Sequence, residues 1–493
     1  MNGTGDRSGY PERSSHVVPR PLRRVAASGA TRIAAATIVA ATLLAGCDGT
    51  PDPSTAPSSN VRQGMHGVVV DTDMGLDDAL ALLYLGSRDD VVIRAVTVVG
   101  DGLVHCEAGV RNARELLTLT GHPDVPVACG GERPLQGANA FPDGWRATAD
   151  DLYGLELPAP AGPSTDRAVT ALLSASLDGR TDLLTLGPYT NIAAALREDP
   201  SIAARARVVV SMAGAVDVPG NAPGGVAEYN VWVDPLAAKE VMAALPVTLV
   251  PLDATNGVPV TPFFVDALGR HLGTPAANAA HDLIADDPFL VGGQYFFWDP
   301  LAAGLLTEPR LGTYVDRRLL VTASLDAGAG WIDDYDEGTP VRVTTRADGL
   351  AFERVFLSAL AGAPVTDVRP DPDVVVGFDG GSCRMTVSER LRAGGHVVVL
   401  FRNRAPVGAS AVFAGFGGAT TYRDLLDWLG RPGSVISGAP EGFRQSGSVS
   451  AAAGQDGWLA LTLRRPNVAA ACVTQDGGTI RAWPGGWRPV GTG

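Results

Sequence analysis

Between Gly67 and about Ala363, short runs of β-branched and aliphatic residues alternate with stretches of helical character, and this alternation constrains the fold more than any other feature. Val68-Val69-Val70 precedes a helical stretch from Asp77 to Gly86. Val91 to Val99 reads as a buried strand, and Cys106 to Thr120 as a helix. Leu183 to Leu186, Val208 to Val210 and Val247 to Val250 are further strands, each next to helix. Alternation of this kind predicts an α/β fold, a mostly parallel sheet with helices on both faces. In such sheets ligands bind beyond the carboxyl ends of the strands.

The rhythm changes after Ala363, and 493 residues leave room for a second domain. Residues 364–372 form a proline-bearing link. Val374 to Phe378, Arg384 to Val387, His396 to Phe401, Ala411 to Phe416 and Leu459 to Leu463 then read as short strands among Gly-rich turns, with Tyr422 to Leu429 helical. Residues 373–493 are therefore expected to form an all-β sandwich, after an α/β domain over 66–363. What the sandwich binds is not legible. Its one histidine, His396, argues against a copper site, which needs two histidines and a cysteine.

Charge and composition exclude some functions. The net charge is 39 − 53 = −14, which opposes a nucleic-acid partner held through its phosphates. Lys239 is the single lysine and sits in Ala-Lys-Glu, so P-loop chemistry is excluded.

The N-terminus reads as an address. Six arginines lie within residues 1–32, and Ile33 to Gly46 then run without charge. That run is shorter than the roughly 20 apolar residues a bilayer requires, and a basic region followed by a short apolar one predicts a secretory signal. It ends in Leu43-Leu44-Ala45-Gly46-Cys47, which resembles the lipobox of bacterial lipoproteins. The resemblance implies a signal peptide over 1–46, lipidation of Cys47, and export to the outer face of the bacterial cell membrane. Residues 47–65 are rich in Pro, Ser, Thr and Asp, as a flexible tether would be. Export makes disulfides the expected state of the remaining cysteines. Cys106 and Cys129 fall in one half and Cys383 and Cys472 in the other, so one bridge per half is expected, with free buried thiols as the alternative.

The stretch richest in chemistry is Val70-Asp71-Thr72-Asp73-Met74-Gly75-Leu76-Asp77-Asp78, where four carboxylates lie within eight residues at the end of a strand. Gly75 permits a tight turn, and Asp77 and Asp78 open a helix whose dipole favours acids. Four acids this close repel one another unless a cation binds, and carboxylate oxygens suit a hard ion such as Ca²⁺ or Mg²⁺. Helix capping alone would explain one or two of them. A phosphatase reading of Asp-x-Asp usually calls on a lysine, which Lys239 does not supply, and it leaves Asp77 and Asp78 without a role.

This stretch resembles the calcium motif of the nucleoside hydrolases, enzymes that cleave the N-glycosidic bond of ribonucleosides. The likeness extends over most of residues 67–362. Leu186-Gly187-Pro188-Tyr189-Thr190-Asn191 is similar to that family's Gly-Pro-Leu-Thr-Asn turn, and Met212-Ala213-Gly214-Ala215 to its Met-Gly-Gly-Ala. Gly220-Asn221, Ala227-Glu228-Tyr229-Asn230 and Asp234-Pro235 resemble its substrate-binding segment, and Trp298-Asp299-Pro300 stands at its last acidic ligand. The resemblance implies that Asp73, Asp78, Asp299 and the carbonyl of Leu186 hold Ca²⁺. It implies attack on C1′ by a calcium-bound water whose proton Asp73 takes, through an oxocarbenium-like transition state. Asp77, Asp101, Asn221, Glu228 and Asn230 would grip the ribose, with Met212 against the sugar.

Two departures point to base choice. Many members have Gly-Asn where this chain has Gly100-Asp101, and many pyrimidine-accepting members have a histidine where it has Trp298. The segment Ala140 to Arg146 resembles a tryptophan loop of the purine-specific branch, so Trp145 and Trp298 would sandwich a purine. The alternatives are a hydrolase of other N-ribosides, such as pyrimidine nucleosides or nicotinamide riboside, and a non-catalytic nucleoside-binding lipoprotein. Whether the chain forms a homo-oligomer is left open.

Overall fold

The structure is a computed structural model that describes residues 65–160, 167–285, 290, 295–388, 396–429, 442–451, 453–463, 465, 467–476 and 479–489. The expected signal peptide, Cys47 and nearly all of the tether lie outside the described residues. Among the described residues no helix is long and apolar enough to cross a membrane.

Nine strands form one sheet: β1 (His66–Thr72), β2 (Val91–Val98), β3 (Val127–Cys129), β4 (Thr181–Thr185), β5 (Ala206–Met212), β6 (Val247–Val250), β7 (Gly312–Val321), β8 (Ile332–Asp334) and β9 (Thr339–Ala347). Their order is β3-β2-β1-β4-β5-β6-β9-β7-β8. Every pair from β3 to β9 is parallel, and β7 and β8 add an antiparallel edge. The apolar runs are continuous because both faces are covered. In β1, Val68 and Val70 pack into one core with Leu80 and Leu83, whereas Val69 packs into the other with Leu183 and Ile192.

The order places the site. From β1 the chain moves outward through β2 and β3, then returns to β4 on the other side of β1. The carboxyl ends of β1 and β4 therefore flank a topological switch point, where a doubly wound sheet opens a crevice. The amide of Leu186, just past β4, donates to the Asp71 carbonyl at 2.8 Å and fixes the two ends together.

The C-terminal strands are β10 (Val374–Phe378), β11 (Cys383–Val387), β12 (His396–Asn403), β13 (Ala409–Phe416), β14 (Phe443–Ala451), β15 (Asp456–Thr462), β16 (Asn467–Asp476) and β17 (Thr479–Pro489). They form two four-stranded sheets, β11-β10-β12-β15 and β14-β13-β16-β17. Val376, Phe378 and Phe401 of one sheet share a core with Phe413, Val468 and Cys472 of the other. A Cys383–Cys472 disulfide joins β11 to β16 across that core, and a Cys106–Cys129 disulfide ties the helix Cys106–Leu119 to the end of β3. Phe263 meets Trp458 edge-on, ring centroids 6.2 Å apart, where the C-terminal sheets contact the nine-stranded part.

Candidate active site

The turn after β1 builds the site from backbone constraints. Met74 adopts a left-handed conformation, φ 54°, uncommon for a residue with a side chain and often tied to function. The Thr72 hydroxyl accepts from the Met74 amide at 3.0 Å and donates to Asp78 Oδ1, while the Gly75 amide donates to Asp78 Oδ2 at 2.9 Å. Asp78 is thus held from both oxygens. Asp73 is packed against two glycines. A Cβ on Gly102 or Gly187 would come within 2.2 Å or 2.8 Å of the Asp73 Cβ, so only glycine admits this approach. The Leu103 amide donates to Asp73 Oδ2 at 3.0 Å.

The helix Trp298–Thr307 brings Asp299 to the same place in its first turn. One oxygen each of Asp77, Asp78 and Asp299 lies within 4.8 Å of the others. Asp73 interacts with Asp78 beside them. Burial pushes the carboxyls of Asp73 and Asp299 well above the ordinary range, lifts Asp78, and raises Asp77 to about 7; neighbouring acids add to the rise at Asp73, Asp77 and Asp299. Asp299 Oδ1 is buried without a hydrogen-bond partner. Desolvated, mutually repelling carboxylates with an orphaned oxygen fit a hard divalent cation. The ligand set expected from the sequence was Asp73, Asp78, Asp299 and the Leu186 carbonyl. Asp77 also lies close to Asp78 and Asp299: Asp77 and Asp78 open the helix Leu76–Gly86, and Asp299 opens the helix Trp298–Thr307.

These acids line a cavity of about 670 Å³. Its walls carry two aromatic groups. Phe141 stacks on Tyr229 with centroids 4.6 Å apart, and Trp145 leans on Tyr229 at 5.7 Å. Trp298 packs with Tyr295 at 4.7 Å and with Phe296 at 5.6 Å. The Tyr295 hydroxyl donates to Asp77 Oδ1 at 3.1 Å, linking the second group to the acids. Trp145 is 53% exposed, unlike a core tryptophan. Among the described residues no histidine lines this cavity.

The remaining expected residues have defined places. Asn230 Nδ2 donates to the Leu186 carbonyl at 2.8 Å and to the Met212 carbonyl at 3.1 Å, and Met212 lines the cavity. Glu228 caps the helix Tyr229–Val233, its oxygens accepting from the amides of Asn230 and Val231 and, at 2.9 Å, of Gly214. Burial raises its carboxyl to about 7. Asn221 Oδ1 accepts from the Tyr229 amide at 3.1 Å. Asp101 is not among the lining residues. Thr190 Oγ1 lies between it, at 2.6 Å, and Asp234, at 2.9 Å, and can give its proton to either.

A family model, the inosine-uridine preferring nucleoside hydrolase, matches residues 68–354, more than half of the chain. The chain belongs to the inosine-uridine preferring nucleoside hydrolase family. An uncharacterized Schizosaccharomyces pombe protein is 36% identical over 196 residues, 38% of this chain and 62% of that protein. The pyrimidine-specific ribonucleoside hydrolase RihA of Klebsiella pneumoniae is 30% identical over 262 residues, 51% of this chain and 82% of the relative. The solved purine-preferring ribonucleoside hydrolase of Gardnerella vaginalis shares the fold, with a TM-score of 0.53 at 24% identity over 60% of this chain and 98% of that one. The family is metal-dependent, and this member carries an acidic cluster suited to an ion.

Sequence reasoning did not assign roles to Phe141, Tyr153, Tyr229, Tyr295 and Phe296, all of which line the cavity. Phe141 and Tyr229 lay inside motifs already singled out, and Tyr295-Phe296 stand just before Trp298. Their aromatic character was the available signal, but a lone aromatic residue reads equally as core.

Proposed function

We propose that the chain hydrolyses the N-glycosidic bond of purine ribonucleosides to free base and ribose, with Ca²⁺ held by the acidic cluster. The observation that carries this reading is the meeting, in one cavity at the sheet's switch point, of buried carboxylates and two aromatic groups. Asp78 and Asp299 would hold the ion, with Asp73 and Asp77 on either side and the Leu186 carbonyl nearby. When bound, the ion supplies Lewis acidity to water and to vicinal hydroxyls. Asp73 has one oxygen engaged by the Leu103 amide, and its other oxygen would take the proton of the attacking water. Asp77 and Glu228 would stabilise positive charge developing on the ribose. Asn230 would keep the Leu186 carbonyl aimed. Trp145 with Tyr229, and Trp298 with Tyr295, offer faces on which a purine stacks. With no histidine on the lining, a purine protonated at N7 from solvent is the better leaving group.

The similarity to a pyrimidine-specific relative favours a second reading, hydrolysis of pyrimidine ribosides. The ratio of kcat/KM for inosine over uridine decides between them: a ratio above about 100 is expected, roughly 2.7 kcal/mol, and a ratio near one rejects the purine reading. We further propose that the chain is exported and lipid-anchored through Cys47. Incorporation of a labelled fatty acid, lost in Cys47→Ser, is the expected result; equal labelling of that variant would oppose it.

A further inference from the structure

A second cavity of about 390 Å³ lies where the nine-stranded part meets the C-terminal sheets, and neither part completes it alone. The nine-stranded part contributes Arg310 and Arg346, and the turn before β15 contributes Gln455. Two further arginines on its lining are already compensated. Arg369 gives Nε and Nη2 to the buried Glu353 and lies over the Trp458 ring, and Arg404 pairs with Asp456 at 2.7 Å. Arg346 donates Nη1 to the Gly454 carbonyl at 3.3 Å, a bond that leaves its charge uncompensated. Arg310 meets Glu308 at 3.1 Å with its side chain 80% exposed, a pairing that solvent weakens. The other lining acid, Asp348, accepts from the Ala351 amide as cap of the helix Gly349–Ala361, whose first residues also line the cavity.

Gln455 supplies an independent indication. It is only 6% exposed, and its Nε2 has no hydrogen-bond partner. It is wedged against Gly257, where a Cβ would come within 2.9 Å of its carboxamide carbon. A buried donor left unpaired is costly unless an acceptor arrives. Here it shares a cavity with guanidinium forks and a helix N-terminus, in a chain that is acidic overall. Several donors lining one cavity suit an anion with several oxygens rather than a single acceptor.

We propose that this cavity binds a phosphate group, as inorganic phosphate or as the monoester of a small sugar, and that the C-terminal sheets supply half of the site. The volume, about 390 Å³, exceeds that of phosphate alone and leaves room for a small sugar. This inference does not rest on the hydrolase reading. Calorimetric titration of the intact chain at fixed ionic strength tests it, with inorganic phosphate, glucose 6-phosphate and glucose as probes. Saturable one-to-one binding of both phosphates and none of glucose is expected. Either phosphate binding supports the site: tighter binding of the ester assigns a sugar phosphate, and equal or tighter binding of inorganic phosphate assigns the phosphate group alone. Arg310→Ala with Arg346→Ala, neither of them on the acidic cavity's lining, should weaken phosphate binding about tenfold or more and leave inosine turnover unchanged. Gln455→Leu should weaken it as well. Absence of saturable phosphate binding at millimolar concentration, equal binding of glucose, or unchanged affinity in the double variant would overturn the proposal.

Discussion

The side-chain amide of Asn230 donates to the backbone carbonyl of Leu186 at 2.8 Å, joining the short helix after β5 to the turn after β4. The same nitrogen reaches the Met212 carbonyl, so one side chain sets the relation of two strand ends at the switch point. Asn230→Ala leaves both buried carbonyls without this donor, a loss of about 1–3 kcal/mol. We expect kcat/KM to fall roughly 10- to 100-fold and calcium affinity to weaken. Unchanged calcium affinity together with unchanged turnover would show that Leu186 needs no such support.

Asp78 is bound by Thr72 and the Gly75 amide on one side and faces Asp299 on the other. Asp78→Asn preserves the shape and removes a charge. The variant is expected to keep its circular dichroism spectrum, lose most calcium affinity in direct titration, and lose turnover. Wild-type calcium binding by this variant would exclude Asp78 as a ligand.

The parallel core was legible because β1, β2, β4 and β6 are largely buried on both faces and so are rich in aliphatic residues. The edge was not. β7 exposes residues such as Asp316 and Arg318 and lacks that signature. In the C-terminal sheets β16 reads Val-Ala-Ala-Ala, and β17 carries Pro484, Gly485 and Gly486 opposite a register shift at Ala470/Ala471, so neither resembles a strand locally. At the site, Asp71, Asp73, Asp77 and Asp78 were readable as a charge concentration, whereas Asp299 was expected only from the family resemblance. The nearness of Asp77 to Asp299 depends on a helix more than 200 residues away, and the contact of Asp101 with Thr190 spans 89 residues; local spacing encodes neither.

Trp298 carries the test of base choice. Trp298→Ala removes a stacking face while leaving Asp299 at the start of its helix. It should slow purine ribosides in kcat as well as KM, narrow the gap to uridine, and leave calcium binding intact. Equal slowing of inosine and uridine would show that Trp298 does not read the base.

The Cys383–Cys472 bridge spans 89 residues and crosses the C-terminal core. Replacing both cysteines by serine should cost about 2–4 kcal/mol and lower the thermal unfolding midpoint by several degrees without altering inosine turnover at 25 °C. Mass spectrometry of non-reduced peptides from protein purified under non-reducing conditions should recover the linked pair. Free Cys383 in that material would contradict the bridge.

The most direct measurement is release of hypoxanthine from inosine by the purified protein, followed before chelator, after chelator and after calcium is returned. The account predicts turnover that chelator abolishes and Ca²⁺ restores. Turnover indifferent to chelator, or no hydrolysis of any purine or pyrimidine riboside with Ca²⁺ present, would contradict it.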